Sequence, residues 1–264
     1  LIAQGREDEA RAVLKRVRAS SEIEAEITEV RELSQKKSHA RDLLNPKIRG
    51  ALTVGILLAI FQQVTGINTI IYYAPTLLHG AGLGNSASLL ANVANGVINV
   101  AMTIVAIRLI DRVGRRPLLL VGTSGMAISL VVLALAFVVG GNHLTGATAI
   151  IAIIALLLYT GSFAVGLGPT FWLLISEIYP VGIRGRAMSV ATIANWGANF
   201  VVTISFLTLL NAIHGSGTFF LFGFLTIVAL VYFQRKVPET KNRSLQEIER
   251  DLFGGESSKV GGER

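Results

Sequence analysis

The chain keeps its charged residues out of three long blocks. No Asp, Glu, Lys or Arg occurs in residues 50–107, 117–176 or 187–234, runs of 58, 60 and 48 residues. A helix crosses the hydrocarbon of a bilayer in about 20 apolar residues, so each block holds two spans and a turn. The blocks predict six transmembrane helices, over roughly 51–78, 87–110, 117–139, 148–175, 187–210 and 218–233 by that length rule. The expected fold class is therefore an all-α integral membrane protein, with the lipid bilayer as its first partner.

All charges then fall in residues 1–49, 108–116, 177–186 and 235–264. With six spans these segments share one side. The opposite turns, 78–86, 140–147 and 211–217, contain no Lys or Arg, and hold His79, His143 and His214. The positive-inside rule makes the charged side, and both ends of the chain, cytoplasmic. A multi-pass location in the cell membrane follows. The net charge of +7 belongs to this asymmetry and is not a nucleic-acid signature. Without cysteine, neither a disulfide framework nor a Cys-based metal site is available. The chain has no starting Met and no signal peptide, and reads as beginning in mid-protein.

Within the first block lies an unusual stretch: Gln62, Gln63, Thr65, Gly66, Asn68, Tyr72, Tyr73 and Pro75. Polar groups in hydrocarbon are costly and commonly face a protein interior or a wet path. Amides also bond helix to helix, and that reading stands beside the first. In the second span Asn92, Asn95 and Asn99 recur on one helical face, which Thr103 extends. The fifth places Thr192, Asn195 and Asn199 on one face, with Trp196 adjacent. Gly66 is positioned to break the first span. The fourth should bend near Gly166–Pro169, because Pro169 lacks an N–H and clashes with the preceding turn. First and fourth are equivalent places in two successive triplets, the pattern of transporters whose broken helices meet at a binding site near the bilayer midplane. In span three, Gly122, Ser124 and Gly125 allow close helix packing.

The charged segments have structure of their own. Residues 1–38 predict cytoplasmic helices, with an apolar stripe of Ala3, Ala10, Val13, Leu14 and Val17. Ser21 with Glu24, and Ser244 with Glu247, resemble capping boxes. From residue 254 the tail predicts disorder. The loop at 108–116 carries Arg108, Arg112, Arg115 and Arg116 against one acid, Asp111. That is more than orientation needs, and guanidinium groups of this kind can clamp carboxylates bidentately. Gly114 permits a tight turn there.

Four motifs, in order, resemble the sugar porter family of the major facilitator superfamily. They are Gln62-Gln63-Val64-Thr65-Gly66-Ile67-Asn68 with Tyr72-Tyr73; Asp111-Arg112-Val113-Gly114-Arg115-Arg116; Gly168-Pro169-Thr170-Phe171-Trp172 leading to Ser176-Glu177-Ile178-Tyr179-Pro180 and Arg184; and Pro238-Glu239-Thr240-Lys241. The resemblance covers essentially the whole chain and implies the C-terminal six-helix bundle of a major facilitator fold, made of two inverted three-helix repeats. It implies a cytoplasmic linker at 1–49, the bundle at 50–236 and a cytoplasmic tail at 237–264. The partner it implies is a missing N-terminal six-helix bundle of the same protein, without which the chain should not transport. By resemblance, Gln62, Gln63, Asn68, Asn99 and Asn195 would bond sugar hydroxyls, Trp172 would pack on the sugar ring, and Phe163 would line the pocket. Tyr72 and Tyr73 would sit toward an outer gate. Asp111, Arg112, Arg115, Arg116, Glu177 and Arg184 would form a cytoplasmic salt-bridge set. The chain departs from the family at Thr65, where Ser is usual, at Phe171, where many members have Pro, and at Ala164, where some facilitators carry a carboxylate.

The residues agree with a neutral, polyhydroxylated ligand. Amides donate and accept, as hydroxyls do, and no charge is present to attract an ion. The expected function is transport of a monosaccharide, hexose or pentose, by alternating access, with proton coupling in the intact protein. The alternatives are facilitated diffusion of a sugar or polyol, and a membrane sugar sensor; the short tail argues against the sensor. No paired carboxylates, metal-ligand cluster, Ser/His pair or phosphate loop points to an enzyme, and no cofactor or metal is implied.

Overall fold

A computed structural model of the chain describes residues 7–14, 27, 43, 46–80, 84–141, 144–243 and 247–248. Both capping serines, Ser21 and Ser244, and the tail from residue 254 lie outside the described residues, as does most of 1–38. The regular structure among the described residues is helical. The helices are α1 (Glu7–Leu14), α2 (Pro46–Val64), α3 (Ile67–Gly80), α4 (Asn85–Val113), α5 (Arg115–Gly140), α6 (Ala147–Val165), α7 (Leu167–Glu177) and α8 (Arg184–Lys236).

Five stretches are long and apolar enough to cross a membrane: Ile48–Pro75, Asn85–Val113, Arg115–Gly140, Ala147–Glu177 and Arg184–Lys236. The fifth, at 53 residues, is not straight. His214 has φ 59° and ψ 178°, and the chain doubles back there. The rings of Phe206 and Phe222 stack 6.2 Å apart, although sixteen residues of straight helix would separate them by about 24 Å. Two predicted spans therefore run on as one helical element around a single non-helical residue, where the sequence suggested a turn at 211–217.

Both predicted breaks occur. The first stretch divides into α2 and α3 at Thr65–Gly66. Gly66 has φ +87°, and a Cβ there would lie 2.7 Å from the Phe222 ring; backbone and space both demand glycine. Hydrogen bonds carry the chain through, from Gly66 N–H to the Gln63 carbonyl and from Ile70 N–H to the Gly66 carbonyl, each 2.9 Å. The fourth stretch breaks at Gly166, φ −103° and ψ −97°. Proline is not the cause that the sequence suggested. Pro169 falls in the first turn of α7, where intrahelical N–H partners are absent anyway.

Packing explains the second glycine. A Cβ on Gly166 would stand 2.6 Å from the Gly122 Cα, and one on Gly122 would stand 2.5 Å from the Gly166 Cα. Helix α5 thus crosses the break backbone to backbone, and Gly125 leaves room for the Ser162 side chain. Around this crossing α5 packs on α6 and α8, and α2 packs on α8. Buried aromatic residues fill the core, among them Tyr159, Phe171, Phe206, Phe219 and Phe233. Helix α4 is the least covered: 17% of its apolar window is buried, against 56% for α5. One of its faces therefore awaits lipid or another part of the protein.

Candidate binding site

The two breaks face one cavity of about 390 Å³. Every residue expected to touch sugar lines it: Gln62 and Gln63 from α2, Asn68 from α3, Asn99 from α4, Phe163 from α6, Trp172 from α7 and Asn195 from α8. Thr103, Ala164, Gly168, Pro169 and Trp196 complete the wall. None of these side chains is ionisable, so the cavity is polar without being charged. Trp196 was not among the expected ligands, although it follows Asn195 directly in the sequence.

Four of the amides are bonded to one another. Gln63 Nε2 donates to Asn195 Oδ1 (3.1 Å) and to Gln62 Oε1 (3.3 Å). Asn195 Nδ2 donates to Gln62 Oε1 (2.7 Å) and to the Ala59 carbonyl (3.1 Å). Asn68 Nδ2 donates to Gln63 Oε1 (2.9 Å), and Gln62 Nε2 to the Leu167 carbonyl beside the second break (3.2 Å). Gln62, Gln63 and Asn195 are buried. At the first break, Tyr159 Oη donates to the Thr65 carbonyl at 2.9 Å, and Thr65 Oγ1 to the Gln62 carbonyl at 2.8 Å.

An amide has two N–H donors and two acceptor lone pairs, so the remaining capacity can be read off. Asn195 has used both donors and keeps one lone pair. Gln63 has likewise used both donors. Gln62 keeps one N–H; Asn68 keeps one N–H and its whole carbonyl oxygen. The Asn99 side chain has no hydrogen-bond partner among the described residues; its backbone carbonyl accepts from Thr103 Oγ1 at 2.7 Å. Asn195 and Gln63 spend both donors within the frame; Gln62 and Asn68 keep polar groups that these bonds do not use.

The other predicted amides do not reach the cavity. Asn92 and Asn95 sit one to two turns nearer the α4 N-terminus, and Asn95 is buried with its Oδ1 unpartnered. Asn199 accepts from Thr203 at 3.2 Å, and Thr192 donates to the Met188 carbonyl at 2.8 Å. Tyr72 and Tyr73 lie about one turn beyond Asn68 and outside the cavity wall. Tyr73 packs on Phe206 at 5.2 Å, and Tyr72 is exposed.

At the charged end Arg115 is the hub. Its guanidinium reaches Glu177 Oε1 at 3.0 and 3.2 Å, Asp111 Oδ1 at 3.2 Å and the Ile110 carbonyl at 3.1 Å. Two other arginines of the expected salt-bridge set find carbonyl oxygens rather than carboxylates among the described residues. Arg116 donates to Gln234 at 2.6 Å and Arg184 to Tyr179 at 3.2 Å. Arg112 enters through its own carbonyl, which accepts from Lys241 Nζ. Glu239, to which the sequence assigned no role, caps α5: its carboxylate accepts from the N–H groups of Arg115 (3.1 Å) and Arg116 (3.2 Å). Carboxylates are favoured at helix N-termini. Gly114, φ +107°, leaves the space, since a Cβ would lie 2.6 Å from Glu239 Oε2. Thr240 donates to Glu177 Oε2 at 2.5 Å, fastening the tail to α7. Nearby, Tyr179 is fully buried against Gly55 of α2 with its hydroxyl unpartnered, and burial pushes its phenol pKa upward.

Apolar spans, glycine breaks and an uncharged amide cavity between them define the class: a polytopic membrane protein with a polar pocket inside its helical bundle. The chain belongs to the family "Sugar (and other) transporter", which matches residues 1–252. It is 39% identical over 256 residues to the D-xylose transporter of Levilactobacillus brevis, covering 96% of this chain and 55% of that protein. It is 33% identical over 256 residues to the D-xylose-proton symporter of Escherichia coli K12, covering 94% and 51%. The solved structure of the proton:xylose symporter XylE bound to 6-bromo-6-deoxy-D-glucose matches with a TM-score of 0.78 at 32% identity, covering 94% of this chain and 52% of that one. The chain spans about half the length of the curated relatives it matches.

Proposed function

We propose that the chain is the C-terminal half of a sugar transporter and supplies one wall of the path for a neutral monosaccharide, moved by alternating access. The observation that carries this reading is the donor and acceptor capacity that Gln62, Asn68 and Asn99 keep free in an uncharged cavity. Trp172 and Trp196, both exposed on its open side, suit the apolar faces of a sugar ring. Similarity to a D-xylose transporter and a D-xylose-proton symporter supports a pentose or hexose as substrate and protons as co-substrate. Each neutral hydrogen bond contributes about 0.5–1.5 kcal/mol net, so a few together give modest affinity.

The finer architecture belongs to the same reading. The reversal at His214 makes two spans of α8 and six in all, with both ends of the chain on the cytoplasmic side. Breaks at Gly66 and Gly166 open corresponding helices of two inverted triplets. A linker at 1–49 and a tail at 237–264 flank the bundle at 50–236. The uncovered face of α4 and the open side of the cavity suit closure by an N-terminal six-helix bundle. Arg115, Glu177, Asp111 and Glu239 then form the cytoplasmic fastening. Full-length protein in liposomes tests the function. D-xylose uptake should rise under an inward proton gradient and fall at least tenfold in Asn68→Ala. Uptake at the wild-type rate in that variant overturns the site, and sugar binding without flux overturns transport.

A further inference from the structure

A second, larger cavity of about 480 Å³ lies between α4, α5 and α6, and its wall is apolar: Ile98, Met102, Val121, Ile154 and Leu158 around a floor of Gly122 and Gly161. It opens away from the amide cavity. At 100° per residue, Ile98, Ala101 and Met102 form one face of α4, while Asn99 and Thr103 lie on another. On α6, Phe163 points opposite to Ile154, Leu158 and Gly161 by the same count. Val121 and Leu158 are exposed, so the groove is open to whatever surrounds the bundle. Its course along α6 from Ile154 to Val165 is about 16 Å at 1.5 Å per residue. That is the depth of one leaflet of a hydrocarbon core about 30 Å thick.

Two arginines that the cytoplasmic fastening does not use stand below it. On the helical wheel Arg112 falls within the arc of Ile98, Ala101 and Met102, with Arg108 at its edge. Arg108 and Arg112 lie about 9 and 15 Å beyond Met102 along the axis, toward the charged end of α4. Both are exposed, and neither has a carboxylate partner among the described residues. Basic side chains at that depth attract anionic headgroups.

The geometry points to a bound anionic phospholipid of the leaflet on the arginine-rich side, with one acyl chain in the α4–α5–α6 groove and its phosphate on Arg112 and Arg108. The inference needs the membrane spans but not sugar binding, so it stands or falls separately from the proposed function. The test is photolabelling of full-length protein in nanodiscs with phosphatidylglycerol or phosphatidylcholine carrying a diazirine on one acyl chain. Phosphatidylglycerol should label peptides from 98–102 and 154–165 at least fivefold more than phosphatidylcholine. Arg108→Gln/Arg112→Gln should reduce that labelling to the phosphatidylcholine level. Ala101→Phe, which fills the groove and keeps both arginines, should remove the label while the protein remains monodisperse. Equal labelling by the two lipids marks an ordinary annulus and overturns the proposal. So do labelling that survives both variants, labelling displaced by inorganic phosphate, and absence of label from either lipid.

Discussion

Asn195 and Asn99 face the same cavity, yet their replacement should fail in opposite ways. Asn195→Ala removes three hydrogen bonds, to Gln62, Gln63 and the Ala59 carbonyl. Side-chain bonds between membrane helices average about 0.6 kcal/mol, and neutral bonds generally contribute about 0.5–1.5. The expected loss of stability is therefore about 2–4 kcal/mol, with the frame that orients Gln62 and Gln63 loosened. The Asn99 side chain has no hydrogen-bond partner among the described residues, so Asn99→Ala should change stability by less than about 0.5 kcal/mol, as surface substitutions do. If the proposed sugar binds there, the variant should instead lose one or two bonds to that sugar, about 1–2 kcal/mol, a factor of about 5–30 in Kd. Reversible unfolding of the full-length protein in mixed micelles measures the first quantity, and calorimetric titration with D-xylose the second. Equal destabilisation by the two variants would refute the division between frame and ligand groups. So would an Asn195→Ala protein that unfolds like wild type.

Two further outcomes follow from glycine-dependent contacts. Gly66→Ala sets a side chain at φ +87° and 2.7 Å from the Phe222 ring, for about 1–2 kcal/mol of backbone strain and about 1–3 of overpacking; Phe222→Leu should restore only the second part in a double-mutant cycle, and full rescue or none would contradict the geometry. Glu239→Ala uncovers the first N–H groups of α5 and should cost about 0.5–2 kcal/mol, as loss of a helix cap does. An unchanged unfolding midpoint in that variant would mean that Glu239 caps nothing in solution.

Much of the fold was legible because lipid imposes a coarse rule: charge stays out, and span length follows. The five apolar stretches begin and end within a few residues of the expected span limits, with the last two spans joined in one stretch. Gly66 was legible as a break from its place in a polar cluster; the region of Gly166 was legible through Pro169, although that proline sits in the first turn of α7 and does not cause the bend. The tightness of the reversal at His214 was not, because nothing in a polar turn says whether it takes one residue or seven. The cavity wall was read through motif resemblance. Helical periodicity alone overreached, for it grouped Asn92 and Asn95 with Asn99, although a shared face says nothing about depth along the helix. The bonds that tie Asn195 to Gln62 and Gln63 were invisible in sequence because they join residues 133 and 132 positions apart. Glu239 was missed for the same reason: its partners are backbone groups 123 and 124 residues away, and a backbone N–H leaves no mark on sequence.

The two glycine breaks are alike in the chain and unlike in their mechanics. At Gly66 the Phe222 ring and the Tyr159 hydroxyl are wedged against the joint, so α3 cannot swing until an aromatic side chain finds a new rotamer. At Gly166 the facing part is Gly122, and two bare backbones meet with no side chain between them. The first joint is chocked and the second is a plain bearing. Motion within this half should therefore fall on α7, carrying Trp172 across the cavity while Asn68 stays in place. Amide hydrogen exchange is expected to be faster at Leu167, Gly168 and Thr170 than over 67–70, and the reverse order would contradict it.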